Sequence, residues 1–321
     1  MIHNIDIKKN AVDTLQLEAA AIQHLTQTID QDFVDITNRI LNLQGRVIVT
    51  GIGKSAIIAQ KMVATFNSTG TPAIFMHAAD AIHGDLGIIQ PDDLIIALSK
   101  SGNTPEIKVL VPFLKQMGNK LVAMVGNLNS FLAQQADHIL DTTVEREACP
   151  NNLAPTTSTT AQLAMGDALA VALQTCRQFS DRDFAKYHPG GALGKQLYMR
   201  VADLSDSNGK PELAPDANIR EVIITITKHR LGATAVIDND ELLGIITDGD
   251  IRRMLEKHED LTGLKARDIM AKAPKTINRG ELAVEALHRM RQDNISQLLV
   301  VENGKYRGIV HLQDLLKEGI I

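Results

Sequence analysis

The apolar positions change period along the chain. From residue 6 to 43 they recur at helical spacing: Val12, Leu15, Leu17, Ala19, Ile22, Leu25 and Ile29, then Phe33, Ile36, Ile40 and Leu43. This predicts a helical leader that packs on the following domain or on a partner subunit. Short apolar runs then alternate with helical periods. Strands are expected at 46–50, 73–76, 94–98, 120–125 and 138–141, and helices at 54–67, 78–82, 106–117, 130–136 and 157–179. Such alternation predicts an α/β fold: a doubly wound, five-stranded parallel sheet. The unbroken apolar run 94–98 suits a strand buried on both faces. In the flavodoxin-like order 2-1-3-4-5, strands one and three are neighbours, and ligands bind beyond their carboxyl ends.

Two loops would meet there. Ser99, Ser101 and Thr104 crowd around Gly102 and Asn103, and Pro105 and Glu106 then open a helix. One helix cap needs one hydroxyl. Three hydroxyls, a Gly and a fresh helix N-terminus make an anion cradle, and a phosphate is the expected guest. The other loop is Thr50-Gly-Ile-Gly-Lys-Ser55. It is no P-loop, because Ile48 stands where that motif needs its first Gly. It is no dinucleotide fingerprint either, lacking an acidic residue about 20 positions on. Gly53 allows close approach, Lys54 brings charge and Ser55 a donor. The same rim would carry His77 and His83 after strand two, and Glu145, Arg146, Glu147 and Cys149 after strand five. His188 stands in a Gly-rich stretch further on.

Past residue 200 the texture changes. Residues 204–211 read as a linker or loop. A unit then occurs twice, with Gly244 matching Gly308 and Asp250 matching Asp314. Two copies of a β-α-β-β-α unit suggest a paired module whose cleft could hold a nucleotide. Domains are therefore expected at 1–200, 201–262 and 263–321.

Composition narrows the function. The chain has 321 residues, 44% of them hydrophobic, a formal net charge of -5 and two cysteines. A large core can form, nucleic acid is a poor partner, and a reducing cytoplasm fits. No signal peptide is expected from the first residues, and no apolar run suits a membrane span.

Taken together, the motifs resemble a known family. Ser99-Lys-Ser-Gly-Asn-Thr104 resembles the phosphate loop of the sugar isomerase (SIS) domain, and the repeats, with Gly244-Ile-Ile-Thr-Asp-Gly-Asp250, resemble a tandem CBS pair. With Gly51-Ile-Gly-Lys-Ser55, His83-Gly-Asp-Leu86, Glu145-Arg-Glu-Ala-Cys-Pro150 and His188-Pro-Gly-Gly191, the chain is similar to the D-arabinose 5-phosphate isomerases. The resemblance implies interconversion of D-ribulose 5-phosphate and D-arabinose 5-phosphate, feeding Kdo biosynthesis for lipopolysaccharide or capsule. It implies a homotetramer with no required cofactor. Lys54, Glu106, Glu147 and His188 would be catalytic. Gly53, Ser55, Gly70, Thr71, His77, His83, Ser99, Ser101, Gly102, Asn103 and Thr104 would contact substrate. His77 matches a position associated with inhibitory zinc, and Thr247 and Asp250 would serve a nucleotide at the CBS pair. Bottom-up chemistry agrees, since aldose–ketose isomerisation needs a carboxylate base and donors for a developing enediolate. Glu147 is the expected base. Two other readings fit part of the pattern: a non-catalytic sugar-phosphate sensor, and an isomerase of another phosphosugar.

Overall fold

The computed structural model describes residues 6–320, leaving out the side chain of Ala192. It divides into two compact units, one ending at Tyr187 and one beginning at His188.

The first unit is built on five parallel strands, β1 Val47–Gly51, β2 Ala73–His77, β3 Leu94–Ser99, β4 Lys120–Val125 and β5 His138–Asp141. They lie side by side as β2-β1-β3-β4-β5, the order expected from sequence. Among the described residues eight α-helices accompany them: α1 Ile7–Leu25, α2 Gln31–Leu41, α3 Lys54–Ser68, α4 Ala78–Ala81, α5 Pro105–Met117, α6 Phe131–Gln135, α7 Thr157–Cys176 and α8 Asp181–Tyr187. Strand residues alternate between two apolar layers. Val47, Val49, Ile96, Leu98, Val122 and Met124 face α2, α3 and α7, where Ile36, Met62, Phe66 and Leu169 meet them. Ile48, Ile95, Ala97, Leu121 and Ala123 face α4, α5 and α6, against Ala81, Ile107, Leu110 and Leu132. Residues 94–99 are buried without exception.

Local chemistry sets the helix ends. Pro105 starts α5 and Gly118 closes it in the left-handed conformation (φ 83°). Asp30 caps α2 by accepting from the N–H groups of Asp32 and Phe33. The leader is two helices, and α1 packs chiefly along α7. Only Leu25 of α1 is buried, whereas Leu15 is 67% exposed. The apolar period of the leader thus exceeds what one chain covers.

In the second unit each repeat centres on an antiparallel hairpin, Ala233–Asp238 with Glu241–Thr247 and Gln297–Glu302 with Lys305–His311. Asn239 and Asp240 turn the first, Asn303 and Gly304 the second, all with positive φ. The hairpins share a core of Leu231, Ala233, Ala235, Leu299, Tyr306 and Ile309. The helix Val201–Ser205 comes before the first repeat in sequence, yet Val201 and Leu204 are buried with Ile277, Leu287 and Val310 of the second. The stretch 204–211, expected as a linker or loop, therefore begins at the end of this helix, with Leu204 in that core. No helix among the described residues is long and apolar enough to cross a membrane.

Ile96 is fully buried on the central strand of the first unit. Ile96→Ala is expected to cost roughly 2–5 kcal/mol, read as a lowered denaturation midpoint of that unit.

Candidate active site

Strand register assembles the rim. Gly51 pairs with His77 on one side and Leu98 on the other, Ser99 pairs with Val125, and Val125 with Asp141. The loops after β1, β2, β3 and β5 consequently leave the sheet along one edge, where a ligand of a doubly wound sheet belongs.

The loop after β3 is a tight, polar turn. Ser99 Oγ lies 2.8 Å from Thr104 Oγ1 and accepts from Gly102 N–H at 3.1 Å. Ser101 Oγ accepts from Asn103 N–H at 3.2 Å. The Asn103 side chain ties the loop to α6 by accepting from Phe131 N–H. Gly102 sits at φ 60°, and a Cβ there would come within 2.0 Å of Ser130 Oγ, so only glycine fits. Thr104 precedes α5 without capping it through its side chain. The first N–H groups of α5 are thus left to a ligand or solvent. Glu106 stands half-buried in that first turn.

Beside it, Gly53 starts α3 with φ 58° and ψ −128°. Lys54 follows, exposed and without an ion-pair partner among the described residues. Ser55 Oγ donates to Gln162 Oε1 of α7 at 3.2 Å. Gln162 is 1% exposed, and its Nε2 has no hydrogen-bond partner. His77 ends β2 with Nδ1 buried, without a hydrogen bond and 3.5 Å from Asp80. His83 is exposed in the next loop.

Glu147 is the most deeply placed of these groups. Its side chain is fully buried, and five donors meet its carboxylate. Lys100 Nζ lies 2.6 Å from Oε1, and Ser158 Oγ donates to Oε1 at 2.5 Å. Oε2 accepts from Thr156 N–H at 2.9 Å, Ser158 N–H at 3.1 Å and Thr156 Oγ1 at 3.3 Å. The hydroxyl-rich segment 156–160 thus commits two hydroxyls and two backbone donors to one buried anion at the start of α7. Burial by itself pushes this carboxyl up. The bonds from Lys100, Ser158 and Thr156 outweigh it and bring it from 4.5 to about 2. Nearby, backbone N–H groups of Ala154, Leu153 and Asn151 hold the Cys149 thiol below its ordinary value.

Not every expected residue joins this rim. Gly70 and Thr71 precede β2, at the amino edge of the sheet, about 16 Å away along a five-residue strand. There Gly70 lies against the Tyr187 ring, and Thr71 is bonded by the Arg177 guanidinium. Within one chain they lie at the opposite edge of the sheet from the substrate loop. His188 belongs to the second unit. Among the described residues the single group of three metal-type ligands is Asp32, Asp35 and His138, not a group containing His77. That group is satisfied by protein: His138 Nδ1 pairs with Asp32, and Nε2 accepts from Arg39. In the first repeat Thr247 and Asp250 form a capping box for the helix Asp248–Lys257, and Arg253 takes the second Asp250 oxygen. Four residues of this site escaped sequence reading: Lys100, Thr156, Ser158 and Gln162. The one signal for Lys100 was a cation between the two serines of an anion loop.

The low carboxyl pKa makes Glu147 a pH-dependent strut. Its stabilisation is complete above about pH 4.5 and is lost as pH falls toward about 2. Denaturation of the native protein and Glu147→Gln at several pH values should show the largest gap above pH 4.5 and a shrinking one below it.

Comparison with known proteins places this rim in context. Residues 40–172 match the SIS domain model, and 208–257 and 266–320 match the CBS domain model. Arabinose 5-phosphate isomerase KdsD of Yersinia pestis is 42% identical, over 99% of this chain and 97% of its own length. Arabinose 5-phosphate isomerase KpsF of Escherichia coli is 45% identical, over 94% of this chain and 93% of its own. A protein of E. coli CFT073, solved in complex with arabinose 5-phosphate, aligns with a TM-score of 0.56 at 39% identity, covering 59% of this chain and all of its own. With identity at this level along both the rim-bearing unit and the repeats, the chain belongs to the arabinose 5-phosphate isomerase family.

Proposed function

We propose that the protein interconverts D-ribulose 5-phosphate and D-arabinose 5-phosphate through an enediolate. The observation that carries this reading is the polar loop 99–104 at the carboxyl edge, set beside a buried carboxylate, in a chain whose relatives bear that activity in their names. The phosphate would rest on Ser99, Ser101, Gly102, Asn103 and Thr104 and on the open N-terminus of α5. Binding at that end positions C1 and C2 for proton transfer. Lys54 and Ser55 approach from the neighbouring loop with one charge and one donor. Glu147 is the base in this reading: the C–H bond breaks, its carboxylate takes the proton, and the electron pair enters the enediolate. The proton returns at the adjacent carbon. Glu106 orients the substrate, and His188 serves ring opening or the transfer between the two hydroxyl oxygens. Cytoplasmic location, a homotetramer, supply of Kdo biosynthesis and a nucleotide at Thr247 and Asp250 complete the proposal.

Purified protein given ribulose 5-phosphate in a chelating buffer should produce arabinose 5-phosphate, followed by NMR. Binding without turnover would favour a sugar-phosphate sensor, and faster turnover of another phosphosugar would move the substrate assignment. Glu147→Gln should lower kcat by about two to four orders of magnitude while still binding substrate. Near-normal turnover would remove Glu147 as the base.

A further inference from the structure

Glu147 presents a chemical difficulty as a base. Five donors occupy its carboxylate and hold it at about 2, where it has little tendency to take a proton. Four of those donors belong to Thr156 and Ser158 at the start of α7, and their two backbone N–H groups move only with the chain. The fifth is different. Lys100 is the only cation among them, its side chain is 42% exposed while that of Glu147 is 0%, and it rides on a flexible four-carbon stem. It also stands between Ser99 and Ser101, inside the loop that would receive phosphate.

Resting on the isomerase reading above, we propose that Lys100 is a positioning residue that serves two anions in turn, the Glu147 carboxylate and the phosphate of the substrate bound in its own loop. A phosphate monoester near neutral pH carries close to two negative charges against one on the carboxylate. Seated on Ser99–Thr104, it draws the ammonium toward itself. Glu147 then loses its one cation and keeps only neutral donors, which makes it a better proton acceptor when C1 and C2 are in place. Phosphate binding is thereby coupled to activation of the base, and a sugar without phosphate leaves the base quenched. The other groups around the carboxylate do not supply such a switch. Thr156 and Ser158 on α7 are neutral, and on its own loop the Cys149 thiol is held by Ala154, Leu153 and Asn151. The Asn152 carboxamide accepts from the backbone of Glu147, not its side chain.

The test compares the native enzyme with Lys100→Met and Lys100→Arg. Two quantities are read with ribulose 5-phosphate: the acid limb of the kcat/KM profile against pH, and inhibition by inorganic phosphate. In Lys100→Met the acid limb should move to higher pH by about one unit or more, because the carboxyl has lost its cation. Inorganic phosphate should inhibit about tenfold more weakly, the loss of one charged contact. Lys100→Arg, which keeps the charge, should restore most of both. If either quantity in Lys100→Met matches the native enzyme, Lys100 does not serve both anions and the proposal fails, although the isomerase reading stands. A native enzyme that does not turn over ribulose 5-phosphate defeats the isomerase reading, and this proposal with it.

Discussion

A parallel sheet buried on both faces has only its edges for chemistry, and everything at the rim follows from that constraint. Layers led by Phe66 and Leu169 on one side and Leu110 and Leu132 on the other exclude water from the strands between them. Polar side chains within those layers would be stranded without partners. The carboxyl edge is where strand backbone ends, helix N-termini begin, and donors point outward together. The one ionised group taken fully inside at this rim, Glu147, is tolerated because the start of α7 and Lys100 together replace its hydration. The same arrangement fixes the loop after β5 to the beginning of α7, nine to eleven residues downstream.

Much of this was legible in the residues. Alternation made the doubly wound parallel sheet legible but not its strand order; the flavodoxin-like order taken as the expectation is the one found. The loop 99–104 announced itself by three hydroxyls crowded around a glycine ahead of a helix start; that only glycine fits there is visible in the structure alone. Tertiary detail was not legible. Nothing local distinguishes Glu145 from Glu147; the difference lies in which of them meets α7. Lys100 had no assigned role in the sequence, and its place became visible only where the loop after β5 brings a carboxylate beside it. Gly70 and Thr71 entered the expected site through family resemblance, which carries positions but not the edge of the sheet on which one chain displays them. The apolar period of α1 was clear in sequence, but period alone does not say how much of a stripe one chain covers.

The repeats show how a motif can be kept while its chemistry drifts. Thr247 and Asp250 cap one helix reciprocally. At the matching place in the second repeat His311 takes the threonine's part, accepting from Gln313 N–H through its ring while Asp314 accepts from its backbone. Asn208, from upstream of both repeats, donates to the same Asp314 carboxylate. The helix starts are therefore equivalent in geometry but not in the groups they offer a ligand.

The helix Val201–Ser205 has a consequence for how the second unit comes into being. Its apolar face fits the core of the second repeat, with Ile277, Leu298 and Val310, although the whole first repeat intervenes in the chain. A ribosome releases residues in order, so that face emerges first and waits, uncovered, while the first repeat and most of the second follow. The first repeat shares its hairpin core with Leu299, Tyr306 and Ile309 of the second, and the second closes around a piece of chain made long before it. The two repeats are in this sense threaded through one another, and a cut between them at residue 262 would separate the second from part of its own interior.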